Sequence, residues 1–594
     1  MPLAKGLRYP VAVAAIVLGS QACSGRALTD PPDLAQLVRS YEREVAPYFP
    51  FTASESGARQ YDRVLANDIG GEYRRGLQAL CGRYRQDLRR IDPSALNDQQ
   101  RLTFDIFARR LDTCLESLAF PWHLLPINQV GSSWPSRFPV VGSGRGIHPF
   151  KTARNYEDFL GRIDGFVTWV DTAIANMRLG SERGITQPRA VMLKVLPQLD
   201  AHIVEDPRTS LFYEPVKNFP TQLDHETRRV LEAKYLEAIQ HKIVPAYRRL
   251  RAFIQDEYLP RCRTSYGMSD LPGGRDMYAH AIRLSTTTRL TAAEIFELGV
   301  AEVTRIRAEI GTLRAEIEAS RDPELTTYRT VDDLLTGYAE LRTSVETALP
   351  RLFGRLPKAG FEIRPIEAFR ERSMPSSYEA AAPDGSRLGV FYLNTAELRR
   401  GGGAPVSRSL FLHEAVPGHH FQIALQRENR DLPGFRRFAW YTAFGEGWAL
   451  YAESLGTALD VYQNRRDRLA MLLNESFRAA RLVVDVGLHD RGWTRQQAIV
   501  YLGGSRENAE REVERYMAWP GQALGYKIGQ LKILELRKRA EAALGASFDV
   551  RAFHDELLKD GAMPLDILET KMDRWIAARR AVSGAPSPRW GSGG

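Results

Sequence analysis

Between His413 and His420 the chain sets three of its eleven histidines, one carboxylate and a Pro-Gly pair into eight residues, His413-Glu414-Ala415-Val416-Pro417-Gly418-His419-His420. No other stretch restricts the fold as strongly. Side chains that are to meet at one point need a defined backbone, and this backbone is not a straight helix. Pro417 has no N–H for the carbonyl of His413 and its ring crowds that carbonyl, while Gly418 relaxes the chain. On an unbroken helix His420 would lie about 20° from His413 and His419 about 120° away. A local bulge of one or two residues at the Pro-Gly pair would instead bring His419 round, and such bulges favour functional sites. Both His419 and His420 stand at this stage as partners for His413.

Neutral imidazole is a common zinc ligand, and a carboxylate beside it can act as a general base toward water. Glu414 cannot be both base and ligand, so a further carboxylate is required. Phe444-Gly445-Glu446-Gly447-Trp448-Ala449-Leu450-Tyr451-Ala452-Glu453 supplies it. Glycines flank Glu446 and leave room for a metal or another backbone. Glu453, seven residues on, shares its helix face about two turns away. It is expected to accept a hydrogen bond from a ligand imidazole and fix its tautomer. The segment is otherwise largely apolar, where a glutamate needs a partner. The ligands expected for one Zn2+ are thus His413, His419 and Glu446, with Glu414 as base.

A tetrahedral oxyanion also needs a donor. In Pro520–Gly529 and the residues after it, Tyr526, Gln530, Ile533 and Arg537 share one helix face. Tyr526 suits the oxyanion, and Arg537, roughly 16 Å further along the axis, suits a substrate carboxylate. The same spacing also fits a packing tyrosine and a surface arginine.

The chain around these motifs is globular: 594 residues, 44% apolar and 26% charged. Its start reads as a secretory signal. Lys5 and Arg8 precede the uncharged run Val11–Leu18, too short to span a bilayer, and Ser20-Gln21-Ala22 offers small residues before Cys23. Residues 1–22 are therefore expected to be removed. Cys23 is either lipidated, as in bacterial lipoproteins, or left free, since Ser20 stands where Leu is usual. Cleavage lowers the net charge from +9 to +7, too diffuse for a nucleic-acid surface. Cys81, Cys114 and Cys262 remain, none in a Cys-x-x-Cys spacing. Either Cys81–Cys114 forms a disulfide or the thiols are buried unpaired.

After a linker at 23–34 the apolar periodicity is helical almost throughout residues 35–580. Tyr156–Met177, Thr227–Tyr258 and a helix opened by the capping box at Thr291 and Glu294 exemplify it. Pro121–Pro149 reads as a loop, Leu271–Gly274 as a turn, Gly401–Gly403 as a hinge, and 581–594 as a disordered tail. Phe361–Arg364 and Gly389–Asn394 read as strands. The expected fold is mainly α, with a small β-sheet beside the active-site helix.

Gly274-Arg275-Asp276-Met277-Tyr278 with Thr286-Thr287-Thr288, the His413–Gln422 block, Gly445–Glu453 and Pro520–Arg537 together resemble the bacterial family known as domain of unknown function 885. The resemblance covers about 35–580, and that family is similar to gluzincin-type metallopeptidases. It implies His413 and His419 as zinc ligands, because the block replaces the shorter zincin motif. It implies Glu446 through the likeness of Glu446-Gly447-Trp448-Ala449 to the Glu-Gly-Phe-Ala run of aminopeptidase N-like gluzincins. It also implies a large helical zincin-like metallopeptidase fold with a deep cleft.

The function expected is zinc-dependent cleavage of short peptides by an exported enzyme, periplasmic or anchored to the envelope through Cys23. Two alternatives are an exported peptide-binding lipoprotein without catalysis and a metal-dependent hydrolase of a non-peptide amide.

Overall fold

Thr291 and Glu294 form reciprocal side chain-to-backbone hydrogen bonds, and the helix they open runs over Ala292–Ser320. The computed structural model describes residues 33–583 except 131–132, 145–147, 367–370, 372–374, 383–384 and 386. The signal segment, Cys23, most of the linker and all but the first three residues of the expected tail lie outside the described residues. Reciprocal caps recur at Asn97 and Gln100 before Asp98–Ala119, and at Thr152 and Asn155 before Ala153–Glu182. They satisfy the orphan N–H groups of each first turn, so these helices start where the side chain allows. The last of them extends the Tyr156–Met177 reading at both ends.

The Thr227–Tyr258 stretch is not one regular helix. His225–Ala238 passes through a π turn at Ile239–Ile243 into Val244–Phe253, and a second π turn follows at Ile254–Tyr258. Pro245 sits just after the first wide turn, which moves its ring away from the carbonyl one turn back. Pro121–Pro149 departs further from expectation, because Trp134–Gly142 is helical. Pro135 lies in the first turn, where its missing N–H costs nothing, and Trp134, Phe138 and Val141 form a buried stripe.

Two clusters of buried side chains organise the chain. One gathers Tyr41, Phe107, Phe421 and Trp448; the other gathers Phe138, Phe159, Tyr235 and Tyr247. Ala292–Ser320 and Arg465–His489 pack along one another and feed both, with Ile295 and Leu482 in the first and Ile306 and Val484 in the second. Cys81 and Cys114 form a disulfide joining Gly71–Leu88 to Asp98–Ala119, and Cys262 is buried and free.

Strands are few and short. β1 (Thr327–Tyr328) pairs antiparallel with β5 (Ala404–Pro405). β2 (Phe361–Pro365), β3 (Ser377–Glu379) and β4 (Gly389–Leu393) form a sheet of order β2-β4-β3, parallel in the first pair and antiparallel in the second. Of the expected hinge glycines, Gly401 adopts a positive φ of 81°. Gly403 is instead a packing position, since a Cβ there would lie 2.4 Å from Thr327 Cγ2. Phe361 and Phe391 bring the sheet onto Phe411, two residues before His413, with ring centroids 6.4 Å away in each case. Among the described residues no helix is long and apolar enough to cross a membrane.

Candidate metal centre

The helix carrying His413 is short, Arg408–Glu414, and a second begins at His419 and runs to Glu428. This differs from the expected bulge, because four residues separate two distinct helices. Ala415 (φ −103°, ψ −103°) and Gly418 (φ −76°, ψ −129°) leave the helical region on either side of Pro417, which has no N–H to donate. Gly418 is required by contact. A Cβ there would fall 1.9 Å from the carbonyl oxygen of His413 and 2.3 Å from that of Leu412. Trp448, fully buried, donates its indole N–H to the Pro417 carbonyl at 2.8 Å and ties the break to the Glu446 helix.

That helix, Thr442–Ser454, depends on its glycines. A Cβ on Gly445 would meet the Trp440 ring at 2.3 Å, and one on Gly447 would meet Gly529 Cα at 2.4 Å. The backbones of Thr442–Ser454 and Gly525–Leu544 therefore pass in contact, and the Trp440 ring stands 5.7 Å from that of His419.

These elements bring His413, His419 and Glu446 together. Glu446 Oε2 lies 3.5 Å from His413 Nε2 and 3.3 Å from His419 Nε2. One donor atom from each residue lies within 4.8 Å of the others. Bonds of about 2.0–2.1 Å in a tetrahedral zinc site separate ligand atoms by roughly 3.3 Å, and the two separations from Glu446 match that spacing. His413 Nδ1 donates to Glu453 Oε1 at 2.8 Å, which turns Nε2 toward Glu446. Among the described residues His419 Nδ1 and Glu453 Oε2 are buried without a hydrogen-bond partner.

Three carboxylates, Glu414, Glu446 and Glu453, thus surround two imidazoles at a buried point. Their electrostatics reflect the crowding. Burial alone would depress His413, but Glu446 and Glu453 outweigh it and push the imidazole up to about 9. Burial likewise opposes the charge of Glu446, yet His419 and His413 hold its carboxyl well below the usual range. Burial raises the Glu414 carboxyl, against the pull of His419 and His413 and of the Tyr378 backbone N–H. Such a cluster needs positive charge, from protons on the imidazoles or from a cation.

His420 faces elsewhere. Its Nδ1 is 2.9 Å from Tyr378 Oη, its ring is 4.6 Å from that of Phe361, and burial lowers its pKa to about 4. Of the two histidines left open by the sequence, His419 is the one beside Glu446. Tyr378 went unnoticed in the sequence, because β3 is three residues long and carries no alternating pattern.

Tyr526 lies under the Arg481 guanidinium, 4.6 Å from ring centroid to Cζ, with its hydroxyl 3.4 Å from Arg515 Nη2. It sits three residues before Gly529, at the crossing with the Glu446 helix. Arg537 is engaged by Tyr451 Oη at 3.0 Å and Glu541 at 2.8 Å, and Tyr451 in turn meets His554 at 2.7 Å. The neighbouring turn thus supplies Arg537 with a carboxylate of its own.

A family profile described as "Bacterial protein of unknown function (DUF885)" matches residues 50–572. Among solved structures the chain is similar to a candidate lipoprotein from Colwellia psychrerythraea at 25% identity and a TM-score of 0.83, covering 92% of this chain and 99% of that one. It is similar in fold to a candidate lipoprotein of unknown function from Shewanella oneidensis, at 17% identity and a TM-score of 0.68, covering 91% and 100%. No curated protein matches the chain.

Proposed function

The chain belongs to the bacterial family of unknown function DUF885, and from that premise we propose that it is an exported zinc-dependent hydrolase cleaving peptide bonds of short peptides on a gluzincin-like fold. The observation that carries this reading is the buried meeting of His413, His419 and Glu446 beside Glu414. His413, His419 and Glu446 hold the zinc ion in this reading, and when bound it supplies a Lewis acid that acidifies water and polarises a carbonyl. Glu414 takes a proton from the attacking water at its carboxylate and passes it to the leaving amine. The burial that raises its carboxyl makes it a better proton acceptor. Glu453 fixes the His413 tautomer, and the Tyr526 hydroxyl serves the developing oxyanion.

Metal analysis of the purified protein tests the ligand set. About one zinc per chain is expected for the wild type and for His420→Gln, with most of it lost in His419→Ala and Glu446→Gln. Equal zinc in all four proteins would remove these residues as ligands.

The lipoprotein descriptions of the two similar structures favour export and attachment through Cys23. Mass spectrometry of protein from membranes is expected to show a chain starting at a diacylated Cys23. A free Cys23 would leave export and remove the anchor, and an intact Met1 would remove both.

A further inference from the structure

Arg481 is buried to 5% exposure on Arg465–His489, yet its Nη1 has no hydrogen-bond partner among the described residues. Its Nη2 bonds Glu512 at 3.0 Å and its Nε bonds Tyr516 Oη at 3.1 Å. Arg515 leans on the same Glu512, at 3.4 Å. One turn before Arg481 stands Arg478, half-buried, which among the described residues has no ion pair and no hydrogen bond. Two guanidinium groups, those of Arg481 and Arg515, thus share one carboxylate, and Arg478 is paired with none among the described residues. Asp485, one turn beyond Arg481, does not redress this. Its carboxylate is taken by Tyr278 Oη at 2.7 Å and the Gly521 N–H at 3.1 Å, and burial raises its pKa to about 7.

The surplus lies level with the metal centre. Thr442 abuts Gly525, Gly447 abuts Gly529 and Tyr451 meets Arg537, so Thr442–Ser454 and Gly525–Leu544 run in the same direction. The Gly521 N–H meets Asp485 at 3.1 Å, Tyr526 lies against Arg481 and Lys527 Nζ bonds Glu475 at 2.6 Å, so Arg465–His489 runs opposite to both. Glu446, between Thr442 and Gly447, therefore shares an axial level with the Glu475–Arg481 stretch. From the other side Asn474 donates to Ser409 Oγ at 2.9 Å, one turn before His413. Arg478 stands one turn after Asn474 and one turn before Arg481 on that helix, with its guanidinium 6.0 Å from the Phe477 ring centroid.

An arginine with no carboxylate among the described residues, backed by a buried one, is a fork for a planar anion, since guanidinium and carboxylate match in geometry. We propose that Arg478, with Arg481 and Arg515 behind it, forms a subsite for a carboxylate of the substrate, the C-terminal carboxylate of a short peptide or an acidic side chain. This rests on the hydrolase reading for its meaning, and takes over the role first assigned to Arg537.

Calorimetric binding of three peptides to the full-length protein tests it: acetyl-Ala-Ala as the free acid, the same dipeptide as its amide, and acetyl-Ala-Glu amide. A charge-assisted pair predicts roughly tenfold or more tighter binding of a carboxylate ligand over the plain amide. Preference for the free acid assigns the C-terminus, and preference for the glutamate amide assigns the side chain. Arg478→Gln is expected to abolish the preference, with Arg478→Lys intermediate because it keeps charge but not the fork. Equal binding of all three ligands, or an undiminished preference in a folded Arg478→Gln protein, overturns the subsite. Selective binding by a zinc-loaded protein that cleaves no peptide would keep the subsite and sink the hydrolase.

Discussion

Glu414→Gln is expected to lower kcat by at least about 10²–10⁴-fold, the usual contribution of a general base, with zinc content and melting temperature unchanged. That loss corresponds to roughly 3–5 kcal/mol of barrier. Glutamine keeps the size of the side chain and an oxygen for the Tyr378 N–H, so the break between the two helices has no reason to move. The amide cannot take a proton, and removing one of three crowded carboxylates relieves repulsion in the cluster. The comparison to make is with Glu446→Gln, where the loss of activity should track the loss of zinc and be restored in part by added metal. A Glu414→Gln protein that hydrolyses peptides at the wild-type rate would end the assignment of Glu414 as base.

Gly418→Ala is expected to be nearly as damaging, through the backbone instead of the chemistry. Its new methyl would start 1.9 Å from the His413 carbonyl oxygen, a distance that forces atoms apart. Overpacking of this kind costs about 1–3 kcal/mol. The groups that must yield are the carbonyls of the His413 helix and the first turn of the His419 helix, so the two imidazoles part. Most of the bound zinc should be lost, together with activity, while far-ultraviolet circular dichroism stays close to wild type. An alanine variant with full zinc and full turnover would show that the tight passage at Gly418 does not position the histidines.

How much of this was legible in sequence follows from the range of the forces involved. The helix at Ala292 is readable because its cap is local, with Thr291 and Glu294 three residues apart. β2 is readable because Phe361 and Ile363 alternate with Glu362 and Arg364, and β4 because Val390, Phe391 and Tyr392 form a β-branched and aromatic run. β3 is not, since Ser377–Glu379 becomes a strand only by pairing with β4. The meeting of His413, His419 and Glu446 could be anticipated from residue type and the Pro-Gly break. The sequence favours His419 over His420 only through the expected bulge, and the spatial reason lies in the Phe361 ring and the Tyr378 hydroxyl that receive His420. The full helix break at Ala415–Gly418, where only a bulge was expected, is fixed by Trp448 from a helix thirty residues away. The arginine surplus at Arg478 and Arg481 left no local sign, since in one dimension they look like any solvated face. It emerges only once the carboxylates available to them in space are known.

The contact between Gly447 and Gly529 has a mechanical meaning. Helices that touch through side chains can slide by exchanging rotamers, whereas helices whose main chains touch have no such lubricant. The Glu446 and Tyr526 helices are therefore one rigid strut, and a displacement of either carries the other with it. Movement that admits a ligand then falls to elements outside the strut, such as β3, which packs on the His419–Glu428 helix through Tyr378 and His420. Residues on the two sides then answer to different demands, constancy of spacing on one and compliance on the other.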